Sequence, residues 1–244
     1  MDAYDPSAPL QLLNGLSPEQ FLGQYWQKKP LLIKQAIPDF EPPLDADELA
    51  GLSCEDFIES RIISGTGQDN NWQLKHGPFD PQTFSEFGER GWTLLVQAVD
   101  HYLPEVAALK QAFRFLPAWR LDDVMVSFAA PGGSVGPHLD QYDVFLIQGE
   151  GRRQWQLDRP LVGDPPLLPQ PELQRLREFT AVETHVLETG DMLYLPPGYP
   201  HWGIALEPCT TFSVGFRAPS HQEIISHYCD DVLATLDPHA RYND

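Results

Sequence analysis

Two short segments of this chain hold residues able to bind a metal ion. The first reads Gly132-Gly133-Ser134-Val135-Gly136-Pro137-His138-Leu139-Asp140, and the second reads Gly190-Asp191-Met192-Leu193-Tyr194-Leu195-Pro196-Pro197-Gly198-Tyr199-Pro200-His201. Residues two apart in a strand point to the same side, so His138 and Asp140 are expected to converge on one ion, with His201 as the third ligand. Two imidazoles and one carboxylate on one side of an octahedral ion leave three positions open, the arrangement of oxygen-activating non-haem Fe(II) sites. The His-x-acid pattern is weak by itself: with 8 His and 35 acidic residues in 244, about one match arises by chance. His221-Gln222-Glu223 is such a match, with nothing around it to support a site. Specificity comes from the context, Gly-x5-His-x-Asp in one segment and Gly-x5-Pro-x-Gly-x2-His in the other. Gly permits positive φ and Pro fixes φ, so both suit tight turns that present the ligands at the mouth of a small barrel. The competing explanation is a core His and two polar residues in turns.

The elements that must position these residues can be read from patterning. From about Asp123 to Arg217 short apolar runs alternate with Gly and Pro, as in an antiparallel barrel or sandwich. In Arg152-Arg153-Gln154-Trp155-Gln156-Leu157-Asp158 one strand face carries Arg153, Trp155 and Leu157. That apolar face should look inward and take Arg153, not Arg152, into the barrel. An unpaired guanidinium there is costly, so Arg153 needs an anion, for which a carboxylate is the best geometric match. An internal Asp or Glu would serve, and so would a carboxylate ligand. Upstream, Ser17-Pro18-Glu19-Gln20 predicts a capped helix carrying Phe21, Leu22, Tyr25 and Trp26, followed by a strand at Pro30-Leu31-Leu32-Ile33. Asp45 to about Ser60 has helical spacing broken near Gly51. Arg61 to Ser64 and Asn71 to Leu74 suggest strands separated by a turn, and a helix is expected around Glu105 to Phe113. Ser220 to about Leu236 reads as a helix that packs on the barrel or forms half of a dimer interface.

Both ligand segments resemble the two boxes of the cupin superfamily, with Asp140 in place of the second His of the first box. That variant is the pattern of the JmjC-type 2-oxoglutarate oxygenases. The stretches Asp122 to Phe128, His138 to Phe145 and Gln148 to Trp155 resemble the bacterial ribosomal-oxygenase branch, and the similarity runs from Tyr25 through Pro219. The resemblance implies a mainly β fold with flanking helices, the double-stranded β-helix or jelly-roll barrel. It also implies Fe(II), 2-oxoglutarate as co-substrate, and O2. Arg153 would then hold the distal carboxylate of 2-oxoglutarate, and Ser127 matches the position whose hydroxyl also contacts it. The implied reaction is hydroxylation of an arginine β-carbon in a large-subunit ribosomal protein, protein sixteen. An oxygenase with another protein or small-molecule substrate, and a metal- or ligand-binding cupin without turnover, are the alternatives; the inward Arg153 speaks against the latter. No side-chain base is required, so Asp123, Asp143 and Tyr142 receive no catalytic role. Members of this branch continue into more helices and a winged-helix domain, beyond what is seen up to Asp244.

Three regions are expected: a mixed α/β region at 1–91 packing on the barrel, a catalytic domain at 92–219, and a helix at 220–244 that begins a dimerisation region. Composition is that of a globular protein, 42% hydrophobic and 21% charged. No apolar run approaches the roughly 18 residues of a membrane span. The first residues resemble no signal peptide, and Cys54, Cys209 and Cys229 form no Cys-x-x-Cys, which together suggest the reducing cytoplasm. A net charge of −19 argues against a nucleic-acid groove and is compatible with a basic protein partner. Surface acidity that merely maintains solubility explains the same number.

Overall fold

A computed structural model describes residues 5–65, 72–161, 163–169 and 171–242. Its helices are α1 (Pro18–Gln24), α2 (Ala46–Leu52), α3 (Thr83–Glu86), α4 (Pro104–Leu109) and α5 (His221–Thr235). Its strands are β1 (Leu31–Ile33), β2 (Ser60–Ser64), β3 (Gln73–His76), β4 (Trp92–Val96), β5 (Leu121–Ala129), β6 (Asp143–Gln148), β7 (Arg153–Leu157), β8 (Glu183–Leu187), β9 (Met192–Leu195), β10 (His201–Ala205) and β11 (Cys209–Phe216).

The strands form two open antiparallel sheets rather than a closed barrel. The large sheet has the order β1-β9-β6-β11-β5-β4-β2-β3, and the small sheet β10-β7-β8. Period-two alternation sends the large sheet's side chains into two different cores. Phe145, Ile147, Met192 and Tyr194 join Phe21, Phe113, Phe212 and Phe216 on the face covered by helices. Val144, Leu146, Leu193 and Leu195 join Trp155, Leu157 and Leu187 between the sheets. With both faces covered, β6 and β11 are buried at every residue, which explains the continuous apolar run Val144 to Ile147 at the centre of β6.

The N-terminal region is continuous with this architecture: β2 pairs with β4, β4 with β5, and β1 extends the other edge through β9. Ser17 and Gln20 make the reciprocal capping box expected of α1, and Phe21 is fully buried. Asp45 and Glu48 cap α2 in the same way, and that helix runs through Gly51 to Leu52. The helix expected to Phe113 tightens instead to a 3-10 turn from Lys110. Asn71 lies outside the described residues, and the strand expected there begins at Gln73.

α5 departs from the packing expectation. The helix forms, opened by a capping box of Ser220 with Glu223, but none of its residues is buried. Ile224, Ile225, Tyr228 and Leu233 all stand exposed. Helical periodicity identified the helix; it could not say what, if anything, in this chain covers the apolar side.

Candidate metal centre

His138, Asp140 and His201 come together at one end of the space between the sheets, with ligand atoms all within 4.8 Å of one another. Backbone pairing creates this meeting. His138 N donates to His201 O at 3.0 Å, and His201 N donates to His138 O at 2.8 Å. His138 is an isolated bridge residue, and Asp140 lies beyond it in irregular backbone, so the expected strand is absent. Gly198 N donates to Asp140 O at 2.8 Å and holds the acidic ligand to the turn before β10. Gly136 and Gly198 have φ of +82° and +77°, the positive values anticipated for these turns.

Each imidazole is oriented by a carbonyl two residues before it. His138 Nδ1 lies 3.0 Å from Gly136 O, and His201 Nδ1 lies 2.9 Å from Tyr199 O. Those bonds place the proton on Nδ1 and leave Nε2 with its lone pair free for a metal. His201 Nε2 is 3.6 Å from Asp140 Oδ2, and the two rings are 4.2 Å apart. Burial, and then the neighbouring His138, lower the His201 pKa to about 4 against the opposing pull of Asp140. It is therefore neutral and able to ligate near pH 7.

A cavity of about 280 Å³ opens from this triad and is lined by both sheets. From the small sheet come Arg153, Trp155 and Gly203; from the large sheet come Met125, Ser127 and Ser213. Arg153 is inward and buried, while Arg152 is outward and forks onto Glu207 with two bonds of 3.1 Å. Arg153 Nη1 donates to Ser127 Oγ at 3.4 Å and Thr211 Oγ1 at 3.2 Å, and its Nε has no partner. Among the described residues no carboxylate pairs with it. The internal salt bridge weighed in the sequence is thus not formed, and the guanidinium is left with capacity for an anionic ligand.

Ser127 and Thr211 sit opposite each other across β5 and β11. Thr211 escaped notice in the sequence, although Thr211 and Ser213 form a polar alternation within an otherwise apolar strand. Tyr142 lines the cavity, and burial, then Asp140, raise its phenol pKa, so it stays protonated. Asp123 and Asp143 are not in the lining. Asp123 accepts from Gln97 and the Ala98 amide. Asp143 is enclosed by Tyr194, Gln27 and Arg120, as expected of a structural carboxylate.

Two His and one Asp at the mouth of a two-sheet jelly roll define a cupin-type metal-binding protein. Residues 108–224 match the JmjC domain. The chain therefore carries a JmjC domain, and it is similar in sequence and structure to ribosomal oxygenases. It is 50% identical over 213 residues to the ribosomal protein uL16 3-hydroxylase of Escherichia coli, covering 87% of this chain and 56% of that protein. A probable ribosomal oxygenase of Haemophilus influenzae is 36% identical over 211 residues, covering 86% of this chain and 52% of the relative. The structure of E. coli YcfD in complex with cobalt and 2-oxoglutarate superposes with a TM-score of 0.83 at 46% identity, covering 94% of this chain and 59% of the other. The chain thus spans little more than half the length of these relatives. No helix among the described residues is long and apolar enough to cross a membrane.

Proposed function

We propose that this protein is an Fe(II)- and 2-oxoglutarate-dependent hydroxylase acting in the cytoplasm on an arginine β-carbon of ribosomal protein uL16. The catalytic unit is residues 92–219, with 1–91 packed on it and 220–244 as an appended segment whose helix α5 is available for homodimer formation. His138, Asp140 and His201 would hold the metal, and Arg153 with Ser127 the distal carboxylate of 2-oxoglutarate. Bound Fe(II), with 2-oxoglutarate and O2, supplies the oxidising power for C–H hydroxylation and yields succinate and CO2.

The chain's own contribution is placement. The Gly136 and Tyr199 carbonyls fix the imidazole tautomers, so metal binding needs no tautomer change. Ser127 and Thr211 accept from one arm of Arg153 and hold its planar fork in place. Leu95, Val144, Leu146 and Trp155 give the cavity apolar walls that limit water beside the reacting atoms. The proposed reaction assigns no proton transfer to a side chain.

The observation that carries this reading is the buried Arg153, without an internal carboxylate, in the same cavity as the triad. A metal-binding cupin without turnover has no use for it. The substrate comes from the uL16 3-hydroxylase relative, and a net charge of −19 suits a basic protein partner rather than direct contact with nucleic acid. The test is incubation with purified uL16, Fe(II), 2-oxoglutarate and O2. The expected product carries one added oxygen on an arginine, located by fragmentation to the β-carbon, and forms in step with succinate. A chelator should abolish both. Hydroxylation that persists without metal would overturn the oxygenase assignment; succinate formation stimulated only by other substrates would overturn uL16.

A further inference from the structure

Ser134 and Trp202 lie outside the cavity lining, yet each sits on a segment that carries a metal ligand. Those segments are pinned together at two places. Gly132 N donates to Ala205 O at 2.8 Å and Ala205 N to Gly133 O at 3.0 Å at one end, and His138 and His201 exchange their pair of bonds at the other. Between the pins the ligand segment holds Ser134, Val135, Gly136 and Pro137, whereas β10 holds Trp202, Gly203 and Ile204. The extra residue cannot follow the strand pairing, and it is taken up in the turn at Gly136, where φ is +82°.

That turn governs one ligand, because the Gly136 carbonyl orients His138 Nδ1 at 3.0 Å. Glycine has the widest choice of φ and ψ, and Pro137 brings no N–H to anchor the peptide that follows. On the amide side the turn is held by Ser134, whose Oγ accepts from Gly136 N at 3.0 Å and from Trp202 Nε1 at 2.8 Å. Ser134 is 4% exposed and Gly136 is buried, so removing the hydroxyl would strand the Gly136 amide without an acceptor. The indole is itself seated edge to face on Phe179, with ring centres 5.9 Å apart. We propose that Ser134 is a positioning residue for the metal centre: its hydroxyl fixes the Gly136 turn and through it the His138 ring, and the Trp202 indole holds that hydroxyl in place. This role rests on the reading of His138, Asp140 and His201 as metal ligands. His201 takes its orientation from Tyr199 O instead, so loss of the Ser134 hydroxyl acts on His138 and spares His201.

The experiment uses the full chain, with Co(II) as the metal probe. In metal-free protein with isotopically labelled histidine, nitrogen NMR should show both ligand rings carrying the proton on Nδ1. Ser134→Ala should turn His138 into a mixture of tautomers and leave His201 as it was. The same variant should weaken Co(II) binding, measured by calorimetry, about tenfold, the lower end for loss of a group behind a metal ligand. Trp202→Phe keeps a ring against Phe179 and leaves the Gly136 bond, so it should weaken binding less, by about threefold. Ser53→Ala removes another buried hydroxyl, bonded to Ala50 O at 2.7 Å at the end of α2, and should leave the tautomers and the Co(II) constant unchanged. An unaltered His138 tautomer or Co(II) constant in Ser134→Ala, or in Trp202→Phe where the first variant does not fold, would overturn the role of Ser134 while the metal-centre reading stands. An equal loss in Ser53→Ala would overturn it too, by making the effect one of general stability. An unsubstituted protein that binds no Co(II) would overturn the metal-centre reading and this role together.

Discussion

Arg152 and Arg153 are adjacent in sequence and opposite in fate, because a strand sends successive side chains to opposite faces. Arg152 spends its charge on Glu207 in water, an exposed pair of small worth. Arg153 is buried against Ser127 and Thr211 with its Nε unpartnered. Arg153→Ala should therefore weaken 2-oxoglutarate binding by on the order of 2–5 kcal/mol, the cost of truncating one side of a desolvated charged pair. Arg153→Lys should also raise the 2-oxoglutarate KM strongly, since an ammonium lacks the planar fork. Arg152→Gln should leave that constant nearly unchanged. Equal effects at both positions in 2-oxoglutarate titrations would contradict the burial difference. Arg153 was legible in the sequence because the apolar Trp155 and Leu157 share its phase. Ser127 had no local signal beyond the family resemblance, and Thr211 reaches the site only through pairing of β11 with β5, which residue spacing does not encode.

At the scale of elements, the proposed metal ligands depend on β10 lying flat between the His138 segment and β7. Gly203 makes this possible: it is paired with Trp155, and a Cβ there would fall 2.7 to 3.0 Å from three atoms of the indole six-membered ring. That ring also lies 5.8 Å from the His201 ring and 5.6 Å from the Arg153 guanidinium. Gly203→Ala should consequently displace Trp155 and cost about 1–3 kcal/mol of stability, the range for overpacking a buried site. Weaker metal binding and a raised 2-oxoglutarate KM should accompany it, read by denaturant unfolding together with metal and co-substrate titrations. A fully stable variant with unchanged constants would show that the indole has room to move. Element types were legible where local chemistry decided them, as in the capping box of α1 and the inward face of β7. They were less legible where distant chain decides: His138 and Asp140 are presented by a single bridge to β10, and the exposure of α5 is invisible to periodicity, which reports an apolar side and not its cover.

For the whole molecule, the two-sheet arrangement places a mostly apolar cavity wall around a few charged groups, and the rest of the surface sets how a macromolecule arrives. The two facing sheets followed from the alternating, Gly- and Pro-punctuated sequence, whereas the extension of the large sheet by β1 at one edge and by β4, β2 and β3 at the other rests on distant pairings that spacing does not encode. Net charge is a property of the sequence alone, and at −19 it should attract a basic protein over distances comparable to the Debye length, about 10 Å at 0.1 M salt. Chemistry inside the cavity is shielded from that screening. Raising salt from low to about 0.5 M should thus reduce kcat/KM for a basic ribosomal protein several-fold, with most of the change in association. Succinate formation in the absence of protein substrate should change much less over the same range, because the co-substrate meets its cation within the cavity. Stopped-flow association and steady-state turnover measured in parallel would separate the two. If both fall together, salt is acting on the metal centre or on folding, and the acidic surface has no role in capturing the substrate.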